Sequence, residues 1–223
     1  DGELSYAEAA AVKVDSWEEE SKFVMALSEA TLAKTFDEFQ YFTGIKEIPV
    51  TCFSGFELLT SIVLPKQLTQ IGHRAFEGCL SLSDIAIPSS VETIGEWAFR
   101  SCSSLTSIDI PDSVTEMGRQ AFEGCHALSS ARLSDNLQVI PRLAFYNCDH
   151  LSELHLPTLL TTICDSAFGN CRSLVSVEIP RGVHTIEGGA FGTCTHLQEI
   201  TLPEGLAEVG SYAHMNALKV NGG

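Results

Sequence analysis

The chain has 223 residues, 44% of them hydrophobic, with 29 acidic against 13 basic side chains and a formal net charge of −16. A pI near 4.7 argues against nucleic acid and anionic membrane surfaces as partners, because both select positive fields. No apolar run reaches the length of a membrane helix, and the cysteines form no Cys-x-x-Cys pair that would suggest zinc.

Residues 1–35 stand apart from the rest of the chain. Asp1, Glu3, Glu8, Asp15, Glu18, Glu19, Glu20 and Glu29 outnumber Lys13, Lys22 and Lys34. Ser5-Tyr6-Ala7-Glu8 and Ser16-Trp17-Glu18-Glu19 both match a capping box, which predicts two short helices, the second from about Ser16 to about Leu32. Trp17, Val24, Leu27 and Thr31 then share one stripe that can cover the end of a core. Asp1-Gly2-Glu3 followed by Glu8 also matches the second half of an EF-hand calcium loop. Calcium wants about six to eight oxygens, and the first two acidic ligands would lie upstream of Asp1. No cofactor is therefore expected, except calcium where a longer natural chain completes the loop.

From Phe36 onward a 23-residue pattern repeats without insertion or deletion. One copy reads Leu82-x-x-Ile85-x-Ile87-Pro88-x-x-Val91-x-x-Ile94-Gly95-x-x-Ala98-Phe99-x-x-Cys102. Phe recurs at Phe76, Phe99, Phe122, Phe145, Phe168 and Phe191, and Cys at Cys79, Cys102, Cys125, Cys148, Cys171 and Cys194. Pro recurs from Pro65 to Pro203, with Ser134 the one break. A period of this length marks a supersecondary unit that buries its apolar face only against its neighbours. Leu-x-x-Ile-x-Ile reads as a short alternating strand, ended by a Pro that has no N–H for a ladder. Val-x-x-Ile-Gly carries the chain across, and Ala-Phe-x-x-Cys begins the return. Gly72, Gly95, Gly118 and Gly210 share their column with Pro49, Pro141, Cys164 and Glu187, so a positive φ is not required there in every coil.

The fold class expected is an α/β repeat solenoid of the right-handed leucine-rich-repeat type. It has one parallel sheet with strands about 4.8 Å apart and a short helical N-terminal cap. Its domains are the cap, 1–35, and the solenoid, 36–223. Phe36-x-x-Phe39-x-Tyr41 falls in register with Leu59-x-x-Ile62-x-Leu64 and predicts an opening strand whose aromatics lid the core. At the far end Leu206, Val209, Gly210 and Ala213 begin a degenerate unit, in which His214 and Ala217 replace Phe and Cys. The expectation is an elongated, curved monomer of eight stacked strands, from Phe36–Tyr41 to Ile200–Leu202.

The cysteine column holds Phe56 at one end and Ala217 at the other, as a packing position would, and buried free Cys behaves as a small hydrophobe. His150 and His196 share a column but lie two coils apart, about 10 Å by strand spacing. No nucleophile elbow, phosphate-binding glycine loop or zinc-protease helix is present, so neither catalytic residues nor metal ligands are assigned. What varies from coil to coil is the outer face of the strands. Its columns read Ser61, Asp84, Ser107, Ser130, Glu153, Ser176, Glu199 and Val63, Ala86, Asp109, Arg132, His155, Glu178, Thr201. Solenoids bind along such faces. The charged and hydrogen-bonding positions toward the C-terminal half, Arg132, Glu153, His155, Glu178, Glu199 and Thr201, are the candidate partner-binding residues.

With its period and its Pro, Ala-Phe and Cys columns, the chain from Phe36 onward resembles the BspA-like leucine-rich-repeat family. Asp1-Gly2-Glu3-Leu4-Ser5-Tyr6-Ala7-Glu8 and the stretch Phe36 to Gly44 look like the N-terminal region of such proteins from gut Bacteroides and relatives. The resemblance implies exported, surface-attached proteins, some of which adhere to host matrix proteins or to other bacteria, and it supplies no catalytic residues. It thus implies a non-enzymatic, adhesin-like module, extracellular or at the cell surface, taking a protein ligand. Two departures from the family pattern are a longer acidic N-terminal helix and the absence of a sorting or anchoring segment. The alternative is a structural spacer that displays other domains. A carbohydrate platform has little to build on, since Trp97 is the one tryptophan in the repeats.

Overall fold

The computed structural model describes residues 34–211. The expected helical cap and the half calcium loop at Asp1 to Glu8 lie outside the described residues, save Lys34 and Thr35, and Thr35 belongs to the first strand instead. The degenerate unit is described only as far as Ser211.

Most coils contribute two short parallel strands, not one. The expected front strands are Thr35–Phe36, Ser61–Ile62, Ser107–Asp109, Ser130–Arg132, Glu153–His155, Ser176–Glu178 and Glu199–Thr201. A second set runs along the flank: Glu47–Ile48, Gln70–Ile71, Thr93–Ile94, Glu116–Met117, Val139–Ile140, Thr162–Ile163, Thr185–Ile186 and Glu208–Val209. The repeat pattern alone reads these stretches as a mere crossing segment, so the flank set corrects the expectation of a single sheet. The reason is the stacking itself. An extended segment repeated at a fixed period lies beside its own equivalent and is placed to pair with it, as Gln70↔Thr93 and Ile71↔Ile94 do.

The front sheet is also less continuous than eight stacked strands would be. Its ladders hold two, three and two strands. Ser107–Asp109, Ser130–Arg132 and Glu153–His155 form the central one, while Ser176–Glu178 pairs only with Glu199–Thr201. Asp84–Ile87, in register with both neighbours, joins no ladder.

The opening strand is shorter and shifted. Phe36 pairs with Ile62, whereas the repeat register would place Phe39 there, and Asp37–Tyr41 forms a 3-10 turn. Three residues per turn put Phe36, Phe39 and Phe42 on one side. Phe39 meets Phe53 edge-on at 5.1 Å and Phe36 meets it at 6.0 Å, while Phe42 packs on Phe39 at 5.5 Å. Tyr41, which a strand would have turned inward with Phe39, is instead exposed. The aromatic lid stands, but a turn builds it.

Inside, the Phe rings stack with centroids 5.1–5.5 Å apart from Phe53 to Phe191 and planes within 9° of parallel. The column cysteines are free and buried, and each has a partner. The Cys102 Sγ–H donates to the Phe76 carbonyl at 3.2 Å and that of Cys125 to the Phe99 carbonyl at 3.3 Å. The pattern holds from Cys79 to Cys194. Two columns at the turns take positive φ, one of them Thr51, Arg74, Trp97, Gln120, Leu143, Ser166 and Gly189. The other runs Gly55, Gly78, Ser101, Gly124, Asn147, Asn170 and Thr193. The Gly column beside the flank strands has ordinary φ and serves close approach: a Cβ on Gly118 would sit 2.2 Å from the Glu96 nitrogen.

Gly118→Ala should therefore destabilise by about 1–3 kcal/mol through overpacking. Gly205→Ala, where an added Cβ meets nothing within 4 Å, should be neutral or slightly stabilising through the unfolded state. Urea unfolding of the two variants checks the contrast.

Burial pushes the Cys125 thiol up to about 12 from an ordinary 9.0 and the Cys194 thiol up to about 11. The folded values lie above the unfolded one. The neutral thiols' contribution is therefore complete below pH 9 and declines as pH rises toward the folded values. Each such thiol removes about 1.4 kcal/mol per pH unit in that window. Unfolding followed from about pH 8 to about pH 10.5 should show a steep loss of stability. Cys125→Ala combined with Cys148→Ala should flatten that slope by nearly 3 kcal/mol per pH unit, about twice the single-thiol figure. An unchanged slope would remove the buried thiols from the account.

Candidate binding face

The front strands position the candidate side chains by simple alternation. Ala131, Val177 and Ile200 turn inward and are buried, and Leu154 is partly so. The residues on either side of each turn out. Arg132 and His155 are register partners, as are Ser130 and Glu153, Ser176 and Glu199, and Glu178 and Thr201. All six candidates therefore occupy the outer face, as read from the sequence.

They do not form one continuous array. No ladder joins Glu153–His155 to Ser176–Glu178, so Arg132, Glu153 and His155 sit on one piece of sheet and Glu178, Glu199 and Thr201 on another. The break coincides with the end of a hydroxyl column that opens each strand. The Thr106 hydroxyl donates to the Ser83 carbonyl at 3.2 Å, Ser129 to Thr106 at 3.0 Å and Ser152 to Ser129 at 3.3 Å. The next residue of the column is Val175, which cannot donate and is 49% exposed. The Ser/Thr column is legible in the sequence as Thr60, Ser83, Thr106, Ser129 and Ser152, but it does not by itself hold the ladder, which is also missing at Asp84–Ile87 where the Ser83 and Thr106 hydroxyl bonds are intact.

Arg132 is less free than its position suggests. Its Nη2 donates to both carboxylate oxygens of Asp112, at 3.0 and 3.2 Å, and its Nη1 to Asp109 at 3.2 Å. Those hydrogen bonds to Asp112 and Asp109 raise its pKa further. Asp112 also accepts the Asp135 backbone N–H at 3.1 Å, and this bond, ahead of Arg132, holds its carboxyl below the usual value. Sequence reasoning missed Asp112 because the outer-column reading stops at the strand, and Asp112 lies one residue past the terminating Pro111. Glu178 and Thr201, with Arg181, Pro203 and Glu204, line a groove of about 510 Å³.

The opposite turn side differs in its charge arrangement. Arg119 pairs with Glu96 at 3.1 Å, Arg142 with Asp165 at 3.1 Å, and Arg100 is held between Glu77 and Glu123 at 3.1 and 2.9 Å. Trp97 lies beneath Arg74 at 4.2 Å and Arg119 at 5.3 Å. Both Arg side chains occupy the indole where a sugar ring would have to stack. His126 bonds Asp149 at 2.8 Å, while His150 and His196 bond carbonyls of the preceding coil. Among the described residues no three His, Cys, Asp or Glu side chains converge in a metal-binding group.

Among curated proteins none matches the chain. Among solved structures, a leucine-rich-repeat protein of Treponema pallidum is 29% identical, with a TM-score of 0.64 over 69% of this chain and 72% of that one. A leucine-rich-repeat protein from Eubacterium ventriosum is 26% identical with a TM-score of 0.62 over 72% of this chain, which spans only 43% of it. The sequence model described as a BspA type leucine rich repeat region matches in six copies, over residues 32–151 and 117–221. Repeats of this kind form scaffolds consistent with protein interaction. With the period, the inner columns and these matches in agreement, the chain belongs to the BspA-type leucine-rich-repeat family.

Proposed function

We propose that the chain is a non-enzymatic, adhesin-like module of an exported protein, gripping a host or bacterial surface protein through the outer face of its front sheet. The observation that carries this reading is the contrast between inner and outer columns. The inner positions are uniformly apolar and hydrogen-bonded coil to coil. The outer ones place Glu153, His155, Glu178, Glu199 and Thr201, with Arg132 braced by two carboxylates, on a fixed frame. Ordering costs already met by the scaffold are not met again on binding. Charge of this kind sets specificity and association rate more than raw affinity.

The spacer reading differs in one respect: a spacer needs the inner columns only, and its outer columns can be changed without consequence.

The test uses Glu153→Ala, His155→Ala and Glu178→Ala together, against Arg119→Ala, Arg142→Ala and Asp165→Ala together. The second set removes side chains that already pair with each other, Arg142 with Asp165, or with Glu96, as Arg119 does. Partners captured from host-matrix and bacterial-surface extracts should be lost or weakened at least tenfold by the first set, about 1.4 kcal/mol, and should bind less well as salt rises. Equal retention by both sets supports the spacer.

A further inference from the structure

Glu153–His155 and Ser176–Glu178 are consecutive front strands, and nothing bonds one to the other. Between Leu151–Pro157 and Leu174–Pro180 no backbone or side-chain hydrogen bond crosses among the described residues. Every other front boundary among those residues keeps at least the bond that opens its strand. The Ser83 N–H donates to the Thr60 carbonyl at 3.3 Å, Thr106 to Ser83 at 3.2 Å and Gln198 to Val175 at 2.8 Å. Even Asp84–Ile87, which joins no ladder, is tied in this way on both sides.

The core registers the same gap. Phe145 and Phe168 stand 5.5 Å apart, the widest step in a ring stack otherwise spaced at 5.1–5.3 Å. Leu154 and Leu156 are only partly buried. Their column neighbours Ala131 and Val177, and Leu133 and Ile179, are buried.

The other two sides of this boundary are closed. On the flank, Val139 pairs with Thr162 and Ile140 with Ile163. At the turns, the N–H groups of Leu143, Phe145 and Asn147 donate to the carbonyls of Asp165, Ala167 and Gly169 at 2.8–3.0 Å. Two bodies bonded along two sides and free along the third can rock without breaking a hydrogen bond, which is the condition for a hinge.

We propose that this boundary is a hinge, about which the coils up to Pro157 and those beyond it open and close the front face between Glu153–His155 and Ser176–Glu178. The flank ladder and the turn bonds are its spine. Arg132, Glu153 and His155 then move with one body, and Glu178, Glu199 and Thr201 with the other. Each half is a rigid frame through its own ladder, and the angle between them is the one ordering cost left for binding to meet. This inference goes beyond the adhesin reading and does not require either half to bind anything.

Two pairs of spin labels test the motion. Ser107→Cys with Glu199→Cys spans four coil steps of the front face and crosses the boundary. Ser61→Cys with Glu153→Cys also spans four steps, including Asp84–Ile87, and does not cross it. All four sites face outward from their strands, and both pairs carry Cys164→Ser, because Cys164 is the one cysteine not buried. Each pair is separated by about 19 Å, four strand spacings. Double electron–electron resonance should give a wider distance distribution for the crossing pair. In the unlabelled protein, the Leu156 and Val175 amides should exchange at least about 100-fold faster than their bonded equivalents Leu133 and Gln198. Equal widths for the two pairs, or comparable exchange at these amides, overturns the proposal.

Discussion

Each coil of this protein completes the coil before it. The Phe99 carbonyl shows the economy of the arrangement: it accepts the Cys102 N–H within its own coil at 3.2 Å and the Cys125 Sγ–H from the next coil at 3.3 Å. The same step repeats from Phe53 to Phe168, so both lone pairs of each of these buried carbonyls are used. The rings 5.1–5.5 Å apart set the rise. Everything outside the core inherits that rise, including the flank ladder, the hydroxyl column and the spacing of the front side chains. An inserted residue anywhere in the coil would break several columns at once, which is the physical reason for the unvarying period.

The sequence makes the inner columns legible because burial leaves a strong chemical trace. Leu, Ile, Phe and Cys hardly vary there, and the direction of each front side chain follows from alternation alone. The flank strands were harder to see, since two residues such as Thr93 and Ile94 carry too little pattern to announce a strand. The turn at Asp37–Tyr41 was missed for a related reason: Phe36, Phe39 and Tyr41 fit the repeat register, and only the packing of Phe42 beside Phe39 at 5.5 Å favours three residues per turn. Of the two positive-φ columns, the one rich in Gly and Asn was readable. The other includes Trp97 and Leu143 and left no compositional sign, because the stacking imposes the conformation on whichever residue stands there.

The face is where sequence and structure diverge most usefully. Column reading placed Arg132, Glu153, His155, Glu178, Glu199 and Thr201 on one surface, and they are all there. It could not show that the sheet parts beside Val175 or that Arg132 is committed to Asp109 and Asp112. Nor could it show that Asp84–Ile87 stands unpaired, since that stretch obeys the repeat as well as any other. At Asp84–Ile87 the repeat is chemically faithful and the ladder is nonetheless missing.

The central claim is that the stacked Phe rings hold the coils at their spacing and that stability spreads through them from coil to coil. Equilibrium urea unfolding of Phe122→Ala tests it most directly. Phe122 is fully buried between Phe99 and Phe145, at 5.1 Å from each. The account predicts a loss of about 3–5 kcal/mol, as for other buried Phe→Ala changes, with the coils on both sides sharing it. A loss below about 1 kcal/mol, within the range of an ordinary surface change, would contradict it.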